Sequence, residues 1–107
     1  MFTVSNVEYW NGTEAIFLDT VVKFIQKLSY TDQAKVAANI MMMREGDFTS
    51  IRTKQLDGPI CELIIRQYRF VFFRKGAIIY FVGAFKKKSA KTPIQEIRHA
   101  RDIFKNI

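Results

Sequence analysis

The runs Ile60-Cys-Glu-Leu-Ile-Ile65, Tyr68-Arg-Phe-Val-Phe-Phe73 and Ile78-Ile-Tyr-Phe-Val-Gly-Ala-Phe85 are broken only by Arg66-Gln67 and Arg74-Lys-Gly76. Each run is short and rich in β-branched and aromatic residues, and each break is a turn signal, so the segment predicts three consecutive antiparallel strands. Alternate members of a strand must fill a core whatever the function, so Tyr68, Phe70, Phe72, Phe73, Tyr80 and Phe81 read as packing residues first.

Downstream, Thr92-Pro-Ile-Gln95 sets a capping threonine before a proline at the first helical position, with Gln at the capping-box position. The final helix this predicts has the stripe Ile94, Ile97, Ala100, Ile103 or Phe104, and Ile107 for the sheet, while Arg98, Arg101 and Lys105 stay solvated.

Upstream, residues 46–59 carry Gly46, Asp47, Thr49, Ser50, Asp57, Gly58 and Pro59 and read as an irregular connection holding Arg52 and Lys54. From about Thr13 to Leu28 the apolar residues Leu18, Val21, Val22, Ile25 and Leu28 recur at helical spacing. Ser29-Tyr-Thr-Asp32 caps a second helix with the stripe Val36, Ala37, Ile40 and Met43, ending near Gly46. Residues 2–10 mix β-branched and aromatic residues and stop at Asn11-Gly12, so they read as an opening strand. The expected order is β-α-α-β-β-β-α: an α+β domain, residues 1–107, with two N-terminal helices packed on a small, mainly antiparallel sheet.

Hydrophobic residues make up 49% of the chain and charged residues 25%, the mixture of a folding globular protein. The formal charge is +7, and it is unevenly spread. Residues 1–50 hold 4 basic and 6 acidic groups, net −2, whereas residues 51–107 hold 13 basic and 4 acidic, net +9. Arg66, Arg69, Arg74 and the run Lys86, Lys87, Lys88, Lys91 all lie in or beside the three strands. Arginine forks and ammonium groups bind phosphate oxygens, and Tyr68, Tyr80 or Phe85, if exposed, offer stacking surfaces to bases. Two readings therefore stand: a single-stranded nucleic-acid cleft, or an ordinary solvated face.

The other chemistry-bearing residues point elsewhere. Cys61 is the only cysteine and His99 the only histidine, which leaves neither a disulfide framework nor a zinc ligand set. Cys61 reads as a small buried hydrophobe, His99 as a structural or solvated helical residue, and Met41-Met-Met43 as helix filler. No metal or cofactor is expected. Residues 1–8 lack a basic n-region and apolar h-region, and no segment approaches a membrane span of about 20 apolar residues, so a cytoplasmic protein is expected.

Gln55-Leu-Asp-Gly-Pro-Ile-Cys-Glu-Leu63, then Tyr68-Arg69 opening a strand, then Gly83-Ala-Phe-Lys-Lys-Lys88 and Lys91-Thr-Pro93 leading to Glu96 and Ala100, resemble the RelE toxin superfamily in its phage-derived Gp49-like or HigB-like branch. The resemblance implies the toxin of a type II toxin–antitoxin pair: a small endoribonuclease that cuts mRNA in the ribosomal A site, contacts ribosomal RNA, and is neutralised by a helix-turn-helix, HigA-like antitoxin. It implies that the lysine run faces the scissile phosphate. Arg69, with Arg66 and Lys87 in support, takes phosphate stabilisation, while Lys54, Arg74, Lys86, Lys88 and Lys91 bind RNA or the ribosome. Ile64 stands where many members have arginine, Ala84 departs from the pattern before Phe85, and no tyrosine or histidine lies between Lys86 and Pro93. The groups that would move protons are thus unassigned. A non-catalytic RNA- or ribosome-binding module and a protein-interaction domain with a basic face are the competing readings.

Overall fold

The computed structural model describes residues 8–10 and 13–107. Among them the order is β1 (Glu8–Trp10), β2 (Thr13–Phe17), α1 (Asp19–Gln26), α2 (Tyr30–Arg44), β3 (Thr53–Asp57), β4 (Ile60–Ile65), β5 (Tyr68–Lys75), β6 (Ile78–Lys86) and α3 (Ile94–Lys105). The fold is α+β. Its six described strands form one mixed sheet in the order β1-β2-β6-β5-β4-β3, in which β2 and β6 run parallel and every other pair antiparallel.

β4, β5 and β6 form where the β-rich runs predict them, but two strands depart from expectation. The apolar spacing places Thr13–Phe17 at the start of the first helix, whereas it forms β2. Ala15 and Phe17 are buried while Glu14 and Ile16 are half-buried, a period of two, and the segment gains its ladder from β6. Residues 53–57, expected to be irregular, form edge strand β3. Their side chains are polar except Leu56 and give no alternation to read; the backbone of β4 supplies the pairing. The opening strand is seen only as β1, since residues 2–7 and the Asn11-Gly12 turn lie outside the described residues.

The sheet is covered on both sides, which explains why Phe70, Val71, Phe72 and Phe73 of β5 are all buried rather than alternating. On one face Leu63, Phe70, Phe72 and Phe81 pack with Val21, Val22, Ile25, Val36, Ile40 and Met43 of α1 and α2. On the other, Ile60, Val71, Phe73 and Val82 pack with Ala100, Ile103 and Phe104 of α3. Each fully buried phenylalanine contributes roughly 1.5–3 kcal/mol through removal from water. Ser29 caps α2 as its sequence predicts, its Oγ accepting from the Asp32 amide at 3.1 Å. Three expected stripe members do not pack inward: Ala37 is exposed, and Ile94 and Ile107 remain 60% and 49% exposed. Ala37 borders a surface hollow with Ile25, Val36 and Ile40, while Ile94 is the first residue of α3 and Ile107 lies beyond its last turn.

The β5–β6 ladder is interrupted once. Val71 pairs with Gly83 and Phe72 with Phe81, so Val82 is one residue extra on β6, a β-bulge. Val82 packs toward α3 as Tyr80 does, and beyond the bulge Ala84 turns to the α1 and α2 face and Phe85 to the α3 face.

At the far end of β5, Lys75 reaches the last turn of α3. Its Nζ donates to the main-chain oxygens of Phe104 at 2.9 Å and Ile107 at 2.7 Å, and lies 4.5 Å from the Phe104 ring centroid. A cation there satisfies carbonyls that a helix leaves unpaired and complements its negative end. Lys75→Met is expected to lower stability by about 1–2 kcal/mol, read as a shift in the urea midpoint together with faster amide exchange across residues 103–107. Unchanged exchange there would show that the contact holds nothing in place.

Candidate functional site

β4 is an apolar strand with one carboxylate in it. Glu62 is only 4% exposed, and a buried charge of this kind must be partnered. Thr92 Oγ1 donates to Glu62 Oε1 at 2.7 Å, and Arg69 Nε lies 3.9 Å from Glu62 Oε2, an ion pair beyond hydrogen-bond reach. Thr92 therefore does not cap α3. The cap position is Pro93, without a side-chain hydrogen bond, because the Thr92 hydroxyl is committed to Glu62. This is a correction to the expected capping box, and it ties the loop before α3 to β4.

Arg69 opposes Ile64 on β4 and Phe85 on β6. Its side chain is 11% exposed, and its Nη1 donates to the carbonyls of Arg66 at 2.9 Å and Tyr68 at 3.0 Å. Nη2 has no hydrogen-bond partner among the described residues, which leaves half of the guanidinium fork for an anion. Glu62, Arg69, Phe85, Lys87, Lys91 and Thr92 line one shallow depression. Lys87 is held there through its main chain, its amide donating to the Gln67 carbonyl at 2.7 Å. A second, larger hollow adjoins it, lined by Phe85, Lys86, Lys88, Lys91 and Pro93.

The residues singled out from the sequence thus divide. Arg69, Lys87 and Lys91 converge on one depression, with Lys86 and Lys88 around its neighbour. Lys54 stands directly opposite Glu62 on edge strand β3, exposed and on the same face of the sheet. Arg66 goes elsewhere. It occupies the β4–β5 turn in the left-handed region, φ 54°, and faces Asp32 of α2 with Nη1 3.6 Å from Oδ1. Tyr68 Oη also donates to Asp32 Oδ2 at 2.9 Å, a bond that pushes the phenol above its usual pKa. Arg74 is exposed at the opposite end of β5, paired with Ile79.

Two residues were given no role by sequence reasoning. Glu62 was findable as the lone carboxylate in Ile60-Cys-Glu-Leu-Ile-Ile65. Glu96 was not, because its setting depends on the bulge: a Cβ on Gly83 would lie 2.8 Å from Glu96 Oε1, so the glycine leaves room for this carboxylate over the sheet. Burial pushes the Glu96 carboxyl above its usual pKa, partly offset by His99. Burial also raises the Cys61 thiol, which accords with a small packing residue rather than a nucleophile.

Among the described residues no helix is long and apolar enough to cross a membrane. Residues 23–105 match the model of a protein family described as phage derived protein Gp49-like (DUF891). Comparison with curated proteins finds no match.

Thr92→Val keeps the shape of the side chain and removes its donor, so it is expected to cost about 1.5–3 kcal/mol, seen as a lower denaturation midpoint, with no loss in a Glu62→Met background, which has no oxygen to accept from the hydroxyl. Equal losses in both backgrounds would mean that the hydroxyl acts through something other than the carboxylate. For Glu96 the sign is opposite to that of a salt-bridged acid: its folded pKa lies above the ordinary 4.5, so the folded state holds the extra proton and stability falls as pH rises from about 4.5 through the folded pKa. Glu96→Gln is expected to abolish that fall and to stabilise the protein at pH 7, as urea midpoints measured from pH 4 to 7 would reveal.

Proposed function

The chain belongs to the Gp49-like family of phage-derived proteins, a RelE/toxin-like group, and from that premise we propose that it is the toxin of a type II toxin–antitoxin pair, a HigB-like, ribosome-dependent mRNA endonuclease acting in the cytoplasm. The supporting observation is the convergence of Arg69 and Lys87 on one depression beside a rim of further lysines. Its antitoxin would be a HigA-like helix-turn-helix protein.

RNA carries its own nucleophile. A 2′-OH aligned with the adjacent phosphate attacks in line and leaves a cyclic phosphate and a 5′-OH, a reaction that needs the strand held still and the added negative charge stabilised. Lys86, Lys88 and Lys91 hold the strand by its phosphates. Arg69 meets the scissile phosphate with the N–H groups that its internal contacts leave over, and Lys87 adds charge from the same depression. Arg66, turned toward Asp32, supports Arg69 through the turn, since its carbonyl is one of the two that accept from Arg69 Nη1. Lys54 extends the basic surface toward ribosomal RNA, and Arg74, at the other end of β5, meets ribosomal RNA apart from it.

A second reading rests on one observation: Arg69 is largely covered and faces Glu62. A basic module that binds RNA or the ribosome without cutting would need nothing more of Arg69 than this structural role.

Mapping mRNA 5′ ends after brief induction separates the two. New ends confined to translated frames are expected with the wild type and are expected to vanish with Lys87→Ala, an exposed position that leaves the Glu62 pair intact, and with Arg69→Lys, which keeps the charge and loses the fork. Growth arrest without new ends would select the binding module.

A further inference from the structure

Phe85 differs from the other phenylalanines of the meander. Phe70, Phe72, Phe73 and Phe81 are buried, whereas Phe85, next to last on β6, is half-buried and lines both the depression that holds Arg69 and the adjoining hollow. That hollow is open and has a volume of about 390 Å³, within the usual size of a small-molecule pocket. Pro93 gives it a second apolar wall, and Lys86, Lys88 and Lys91 line it as well.

We propose that Phe85 is the stacking platform for an unpaired base of single-stranded RNA, seated in the hollow against Phe85 and Pro93, with its neighbouring phosphates on Lys86 and Lys88 on one side and on Arg69 and Lys87 on the other. This rests on the reading of the protein as one that acts on RNA. The ring borders both cationic depressions, so the ligand that fits is a flat apolar group with negative charge along a chain on either side of it. A nucleotide strand has that form. An acidic peptide would be served by the lysines alone and gains nothing from a half-buried aromatic ring beside them. The bulge on β6 supports the assignment, because without the extra residue Phe85 would turn to the α1 and α2 face, away from Arg69.

The test is binding of fluorescein-labelled single-stranded RNA octamers, intact or with abasic central nucleotides, to the full chain and its variants. Phe85→Leu keeps the apolar packing and removes the ring; it is expected to weaken binding of the intact octamer about tenfold while leaving the slope of log affinity against log salt unchanged, since no phosphate contact is lost. The wild type should bind the abasic octamer as weakly as Phe85→Leu binds the intact one, and Phe85→Tyr should retain wild-type affinity. Lys86→Ala with Lys88→Ala should instead flatten the salt slope. Equal wild-type affinity for the two octamers, an affinity unchanged in folded Phe85→Leu, no binding of the intact octamer at all, or equally effective competition by polyglutamate would each overturn the proposal. The nuclease reading fails separately, on the absence of new mRNA ends, so a protein that stacks bases without cutting and one that cuts without stacking give different results.

Discussion

The arrangement of the candidate site depends on one residue of slippage between two strands. Strand neighbours alternate between faces, so an uninterrupted β6 would present Phe85 and Lys87 to α1 and α2, and Ala84 to Arg69. Val82, the unpaired extra residue, reverses that parity for the last four residues of the strand and the loop after it. Glu62, Arg69, Phe85 and Lys87 then share a face only because of it. Gly83 belongs to the same device: directly opposite Val71 and next to the extra residue, it leaves space for Glu96 of α3, where any side chain would press on the carboxylate.

The Glu62 cluster supplies orientation rather than net stabilisation. At 3.9 Å and an effective dielectric near 20, the attraction between Glu62 and Arg69 is worth about 4 kcal/mol. Desolvating each ion costs several kcal/mol, so the pair roughly breaks even. What it changes is geometry. Glu62 fixes one edge of the guanidinium and, through Thr92, the loop that carries Lys87 to Lys91, while two carbonyls fix Nη1. An arginine held this way loses little rotamer freedom on meeting an anion, which raises the value of its unpaired N–H groups.

The elements that were legible in the sequence are those whose cause is local. The α1 stripe, the Ser29 cap and the three runs of the meander all follow from spacing or from a capping side chain a few residues away. β2 was missed because its partner β6 lies across the chain and its five residues run straight into the helical spacing of α1; β3 was missed because an exposed edge strand needs only backbone partners. The error at Thr92 has the same character. A threonine before a proline satisfies the local rule for a cap, but the buried carboxylate of Glu62 is a stronger acceptor problem than an unpaired amide that water can reach at the helix end, and the hydroxyl goes to it. The lysine run was legible as charge, yet its division into two hollows around Phe85 was not, because that needs the bulge, and a single extra residue leaves no periodic trace.

Arg66 shows how the same strand end serves two faces. Its left-handed φ costs of order 1 kcal/mol for a residue that is not glycine. The tight turn it permits keeps Ile65 opposite Tyr68, and that register sends Tyr68 toward Asp32 of α2 while its neighbour Arg69 goes to the α3 side. Asp32, nearly buried, then receives both the Tyr68 hydroxyl and the Arg66 guanidinium and pins the hairpin to the first turn of α2, where its negative charge complements the helix dipole. The two arginines three residues apart consequently point to opposite faces of the sheet. Arg66 and Tyr68 anchor the hairpin from one side of the sheet, so that Arg69 can be rigid on the other, and the only direct link between the arginines is the Arg66 carbonyl that accepts from Arg69.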